Sequence, residues 1–183
     1  MNIFYLHSDP RVCAQMHNDK HCIKMILEYA QLLSTAHRVL DGTLSERRSN
    51  SGRKQKVYVL ADSRESTLYS ATHINHPSAI WVRQSEQNYR WLFTLFCELM
   101  TEYTYRYGKN HACGKLLTAL GRPPKNIDMD KPFTEPTPAM PDEVKVAGDS
   151  IASYRKYYLN NKTHLASWSG KINSRNKPAW FTI

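Results

Sequence analysis

Between Asp19 and Leu40 the chain reads DKHCIKMILEYAQLLSTAHRVL, and apolar residues cover nearly the whole helical circumference except one stripe of Lys20, Lys24, Glu28, Gln31 and Thr35. At about 100° per residue those five positions fall within roughly a quarter of the circumference. The remaining arc, which includes Cys22, Ile23, Leu27, Tyr29, Leu33 and Leu40, is wider than a helix needs to seat on one core. The pattern therefore predicts a central helix buried on two sides. A buried unpaired charge is too costly to keep, so the stripe must open into a cleft or meet partners.

The flanking segments follow the same logic. Asn2 to Leu6 suits a short buried extended segment, and Ser8-Asp9-Pro10 reads as an N-cap with proline in the first turn. That first helix either runs into the Asp19 helix or breaks near His17-Asn18-Asp19, where Asn and Asp offer new caps. Gly42 closes the segment, and the polar, basic stretch 43–56 reads as a mobile loop. A short helix is expected over Val57–Ser70. The longest helix is expected from Pro77 to about Tyr107, closed by Gly108, with Trp81, Tyr89, Leu92, Phe96 and Leu99 on its apolar stripe. Ser85 and Asn88 interrupt that stripe as polar groups facing the interior. His111–Leu120 suggests another short helix. The stretch 121–148 holds six of the nine prolines and reads as an irregular crossing. A last helix over about 149–167 precedes a basic tail ending in a Trp180-Phe181 plug. The fold class expected is all-α, a compact single-domain helical bundle on a long central helix pair, with 1–183 as one domain.

Composition narrows the partner. With 25 basic against 16 acidic side chains the net charge is +9, which favours a polyanion. The four cysteines are scattered without a C-x-x-C pair, so neither a zinc knuckle nor a disulfide framework is indicated. With no stretch near the roughly 20 apolar residues of a membrane span, and no signal-like N-terminus, a soluble, cytoplasmic protein without a membrane partner is expected.

Several residues carry candidate chemistry. Lys24 and Glu28 make either an ordinary ion pair at four-residue spacing or, if desolvated by the wide apolar arc, an amine with a general base. His17 and His21 stand four apart and His73 and His76 form a second pair, but no pattern supplies further ligands, so no metal and no cofactor is expected. His21 or His76 could act as acid or phosphate contact. Ser85 and Asn88 either bond to each other and to helix ends, or join Trp81 and Tyr89 in holding a planar base by stacking and by its hydrogen-bonding edge. Arg83 lies beside them. Lys20 and Gln31 extend the stripe as substrate contacts. Cations in the loop (Arg47, Arg48, Arg53, Lys54) and in the aromatic C-terminal helix (Arg155, Lys156, Lys162) suit a phosphate backbone.

The segments DKHCIKM, NHPSAIWVRQSEQNYRWL and EYTYRYGK resemble a family of small proteins of tailed bacteriophages. The order of elements, with YRKYY and PAWF at its end, also resembles the pyrimidine-dimer DNA glycosylases of endonuclease V type. That resemblance implies a compact helical enzyme in which an N-terminal amine, assisted by a helix glutamate, attacks a damaged nucleotide. Here residue 2 is Asn, whose bulk discourages removal of Met1. The amine would then fall to Lys20 or Lys24, with Glu28 or Asp19 as the carboxylate. The expectation is a phage protein, placed in the infected host's cytoplasm, that binds DNA or a phosphorylated nucleotide in a cleft between the Asp19 and Pro77 helices. Its expected activity is on a DNA nucleobase, by glycosidic cleavage or base modification. The alternative is a non-enzymatic counter-defence protein that sequesters a nucleotide signal or blocks a host factor.

Overall fold

The computed structural model describes residues 1–48 and 51–182. Its helices are α1 (Pro10–Met16), α2 (Asp19–Asp41), α3 (Arg64–Thr67), α4 (Pro77–Val82), α5 (Glu86–Tyr107), α6 (Leu117–Leu120) and α7 (Ser150–Asn161), and 3-10 turns precede α6 and flank α7. Asp9 caps α1 by accepting from the N–H groups of Arg11 and Val12, and Asn18 caps α2 by accepting from His21 N–H. The chain thus breaks at His17-Asn18, both residues extended, and a new cap opens α2.

The fold is mostly helical, but it is not purely so. Thr43–Arg48 (β1) and Lys54–Val59 (β2) pair as an antiparallel hairpin, with Thr43 opposite Val59 and Arg48 opposite Lys54. This corrects the reading of 43–56 as a structureless loop; residues 49 and 50 of that stretch lie outside those described. Val57, Tyr58 and Val59 belong to β2, so only Arg64–Thr67 remains of the helix expected over Val57–Ser70. β-branched and aromatic side chains at these positions favour the pleated strand over the helix.

The helix expected from Pro77 to Tyr107 is two helices. Arg83 leaves helical geometry, and Ser85 is extended, its hydroxyl accepting from Asn88 N–H as the N-cap of α5. Gly108, in the left-handed region at φ 64°, ends α5 as expected, and a Cβ there would run into the Ile172 side chain. The last helix stops at Asn161, earlier than expected.

α2 packs against α5, with α1 laid on α5 and α4 on α2. The segment Ile3-Phe4-Tyr5-Leu6 is fully buried among these helices and α7. No helix among the described residues is long and apolar enough to cross a membrane.

Candidate functional site

The N-terminal segment is fixed by a buried group of rings. Tyr29 on α2 accepts from Phe4 N–H through its hydroxyl at 3.3 Å, and that hydroxyl lies 2.9 Å from His17 Nε2. His17 Nδ1 lies 2.8 Å from Cys13 carbonyl oxygen, which can only accept, so Nδ1 carries the proton and Nε2 accepts from Tyr29. Phe4 stacks on His21 at 4.1 Å between centroids, and His21 Nδ1 meets Tyr158 hydroxyl at 2.5 Å. Arg155 Nε donates to Leu6 carbonyl at 3.0 Å. Burial lowers the His17 pKa to about 4 and that of His21 to about 2, so both rings are neutral near neutral pH. His21 thus sits as a neutral ring packed under Phe4, with Nδ1 taken up by Tyr158.

These contacts lay the first residues along α2 and bring the main-chain nitrogen of Met1 to 3.8 Å from Glu28 Oε2. Lys24 Nζ lies 3.1 Å from Glu28 Oε1. Both oxygens of one carboxylate thus face cationic nitrogens, and the Glu28 side chain is only 14% exposed. His76 belongs to the same group. Burial lowers its pKa, the positive charges at Met1 and His73 lower it further, and Glu28 acts in the opposite sense. Its Nδ1 accepts from Ser78 N–H as the cap of α4, which leaves Nε2 to carry the ring proton when neutral.

The surroundings differ from the expected buried stripe. Lys24 is 71% exposed, Lys20 is exposed, and Ile23 and Leu27 are each 41% exposed. The N-terminal half of α2 therefore presents Lys20, Ile23, Lys24 and Leu27 outward rather than being buried on two sides, because no element covers that face. Gln31 is half-buried one turn on, and Thr35 is buried and bonded to the Thr72 main chain. Asp19 accepts from Arg106, Ser167 and Gly170 near the start of α2 and takes no part in the Glu28 group.

The expected facing wall is internally bonded. Trp81 Nε1 donates to Thr134 carbonyl at 3.0 Å, Asn88 Nδ2 donates to Trp81 carbonyl and to Thr134 Oγ1, and Asn88 Oδ1 accepts from Thr134 N–H. This network ties the proline-rich crossing to the α4–α5 break. Ser85 and Asn88 do border a cavity of about 270 Å³ with Lys131 and Pro132, but Trp81 stacks on no open space. Arg83 donates to the Ile74 and Ala79 carbonyls, and Tyr89 donates to Leu120 carbonyl while meeting His37. The expected cleft with these side chains opposite Glu28 is thus replaced by a buried joint.

The proposed backbone contacts fall in two places. Arg47, Arg48, Arg53 and Lys54 are exposed on the hairpin and its turn, where Lys54 lies 3.6 Å from Glu46 and Arg48 donates to Gly52 carbonyl. Leu44, Lys56 and Tyr58 on one hairpin face line a cavity with Thr72, His73 and Ile74, so that face adjoins the His73 and His76 side of the Glu28 group. On α7, Lys156 donates to Glu143 carbonyl, Arg155 lies 5.4 Å from the Trp180 ring centre, and Lys162 caps the Tyr157 ring at 4.7 Å.

Sequence reasoning missed the Met1 nitrogen. It is the Met1 nitrogen that meets the helix glutamate. The signal was present in the apolar run IFYL before the first cap, which buries the segment and so fixes its start. Among the described residues no three His, Cys, Asp or Glu side chains converge as a metal site. Comparison with protein-family models, curated proteins and solved structures finds no match to this chain.

Proposed function

We propose that the chain is a DNA nucleobase-acting enzyme of glycosylase/lyase type, with Glu28 as its base and an adjacent amine as its nucleophile. One observation carries this: two amines, from Met1 and Lys24, converge on a single largely buried carboxylate at the edge of a basic, solvent-open face. Met1 offers an α-amine where it begins the mature chain, and Lys24 offers its amine in either case. In this reading Met1 is the nucleophile and Lys24 the second cation beside the Glu28 carboxylate.

In the proposed step the amine attacks C1′ of the target nucleotide as the glycosidic bond breaks. Glu28 takes the proton lost by the amine and passes it to the departing base, so charge and protons balance. The bond from C1′ to the ring oxygen then breaks, the nitrogen's remaining proton passes to that oxygen, and an imine links C1′ to the nitrogen. Lys20 and the hairpin cations hold the flanking phosphates. This is the chemistry that the sequence's resemblance to the endonuclease V type implies.

Borohydride reduction during incubation with duplex DNA carrying an abasic site or a damaged base tests this. The expected result is a covalent protein–DNA adduct that maps to Met1 or Lys24 and is lost in Glu28→Gln. Absence of any adduct and of any change in the DNA overturns the proposal.

A further inference from the structure

A second cavity, of about 830 Å³, lies on the far side of α2. His37 at its floor follows Glu28 by nine residues, which places it roughly 14 Å along the helix and half a turn around. The two regions therefore share no surface. Its walls come from three separate segments, the α3 turn with Ser63, Arg64 and Thr67, the 3-10 turn and α6 with Lys115 and Thr118, and the crossing with Arg122 and Lys125.

Charge around this cavity is unbalanced. Asp62 is the one carboxylate in the lining, and Arg64 grips it with Nε to Oδ1 at 2.9 Å and Nη2 to Oδ2 at 2.8 Å. Arg64 is held on its inner side as well. Its Nη1 donates to Asp41 at 2.6 Å and to His37 Nδ1 at 2.8 Å, while His37 Nε2 donates to the Tyr89 hydroxyl, which donates to Leu120 carbonyl. Asp41 is in turn buried and accepts from the N–H groups of Lys125 and Asn126. This relay fixes a cationic wall and the start of the crossing together. Lys115, Arg122 and Lys125 have no side-chain hydrogen bond or ion pair among the described residues. Lys115 and the crossing's Arg122 and Lys125 thus add three cations to one concave space whose single carboxylate, Asp62, is already gripped by Arg64, an arrangement that attracts and focuses anions.

We infer that this cavity binds a phosphate-bearing anion, gripped by Lys115, Arg122 and Lys125 and bordered by the hydroxyls of Ser63, Thr67 and Thr118. The volume is that of a small-ligand site. The lining holds no Phe, Tyr or Trp, so recognition is of the phosphates and not of a stacked base. A compact polyphosphate and the phosphodiester backbone of DNA offer the same chemistry, and the inference stands apart from the activity proposed at Glu28.

The test is calorimetric titration of the full chain with inorganic pyrophosphate, with tripolyphosphate and with a short duplex, beside the triple variant Lys115→Ala, Arg122→Ala, Lys125→Ala. All three side chains are on exposed residues, so an unchanged melting temperature without ligand is expected. Saturable 1:1 binding of either polyphosphate, weakened at least about tenfold in the triple variant and thus by about 1.4 kcal/mol, supports a small polyphosphate ligand. Loss confined to the duplex supports the DNA backbone as the source. Equal behaviour of both proteins towards all three probes overturns the inference. Borohydride trapping at Glu28 is scored separately in the same variant, and its failure alone bears only on the other site.

Discussion

His21 Nδ1 and the Tyr158 hydroxyl, 137 residues apart in sequence, share a 2.5 Å hydrogen bond in the protein interior. Phe4 lies stacked on the same imidazole, so one contact joins α2, α7 and the N-terminal segment. Tyr158→Phe removes the hydroxyl and leaves a buried ring nitrogen unsatisfied, which costs about 1–3 kcal/mol. Urea unfolding should register that loss. Trapping efficiency should also fall, because the segment that carries Met1 to Glu28 is loosened. A variant as stable as the parent would remove this bond from the account of how the segment is held.

Lys24→Met and Glu28→Gln should separate chemistry from stability. The Lys24–Glu28 pair is largely open to water on the lysine side, and exposed pairs of this spacing contribute only about 0.3–0.5 kcal/mol. Neither change should move the melting temperature by more than a few degrees. Glu28→Gln should abolish the borohydride adduct, whereas Lys24→Met should retain it on Met1 at a reduced rate. An unfolded Glu28→Gln protein would assign the carboxylate a structural task.

Much of the helical frame was legible, because caps and helical periodicity are local signals. Asp9, Asn18 and Gly108 stand where the sequence expects boundaries, and the six central prolines mark a crossing without regular structure. Ser85 misled because a capping serine and a buried polar residue look alike inside an apolar run; only the turn at Arg83 tells them apart. The hairpin was hidden because its strands are exposed almost throughout, so they show no alternation of apolar and polar positions. The Lys24–Glu28 pairing was legible from spacing alone. The convergence of Met1, and the whole His37–Arg64 cavity, depend on residues far apart in sequence and leave no local pattern.

Arg106 is completely buried and holds three segments together. It donates to Glu102 at 2.7 Å, to Asp19 at 3.0 Å, and to the main-chain carbonyls of Gln15 and His17, while Arg175 from the C-terminal tail also binds Glu102. Arg106→Met leaves the Gln15 and His17 carbonyls without this donor and Glu102 with Arg175 alone, and breaking a buried pair costs about 3–5 kcal/mol. Denaturant midpoints should fall accordingly. Arg175→Ala should cost less, since Glu102 keeps Arg106.

Acid should destabilise the fold well above the carboxylate range. Burial lowers the pKa of His17 to about 4, burial with the charge of Arg64 lowers His37 to about 4, and burial lowers His21 to about 2. The unfolded chain, with histidines near their ordinary value of about 6.5, takes up protons that the folded chain refuses. Stability is therefore complete above that value and declines as the pH falls towards 4, with His21 contributing below it. Three such rings give a slope of up to about 4 kcal/mol per pH unit. Urea unfolding at successive pH values from about 7 to 5 measures it, and a flat profile would show that the rings accept protons in the native fold.

The hairpin should act as an electrostatic handle. Arg47, Arg48, Lys54 and Lys56 lie on two strands with no core behind them, and only Lys54 has a carboxylate, Glu46, within ion-pair distance among the described residues. A two-stranded ribbon is narrow enough to enter a major groove, and the face bearing Lys56 and Tyr58 adjoins the His73 and His76 side of the Glu28 group. Replacing Arg47, Arg48 and Lys56 by Gln removes three phosphate-seeking charges without touching buried residues. Native stability should stay within about 0.5 kcal/mol. Duplex affinity should weaken, and the slope of log K against log salt should become shallower by up to about 3. If the hairpin merely keeps the surface charged, duplex affinity will drop slightly and its salt dependence will not change, so the slope is the quantity to measure.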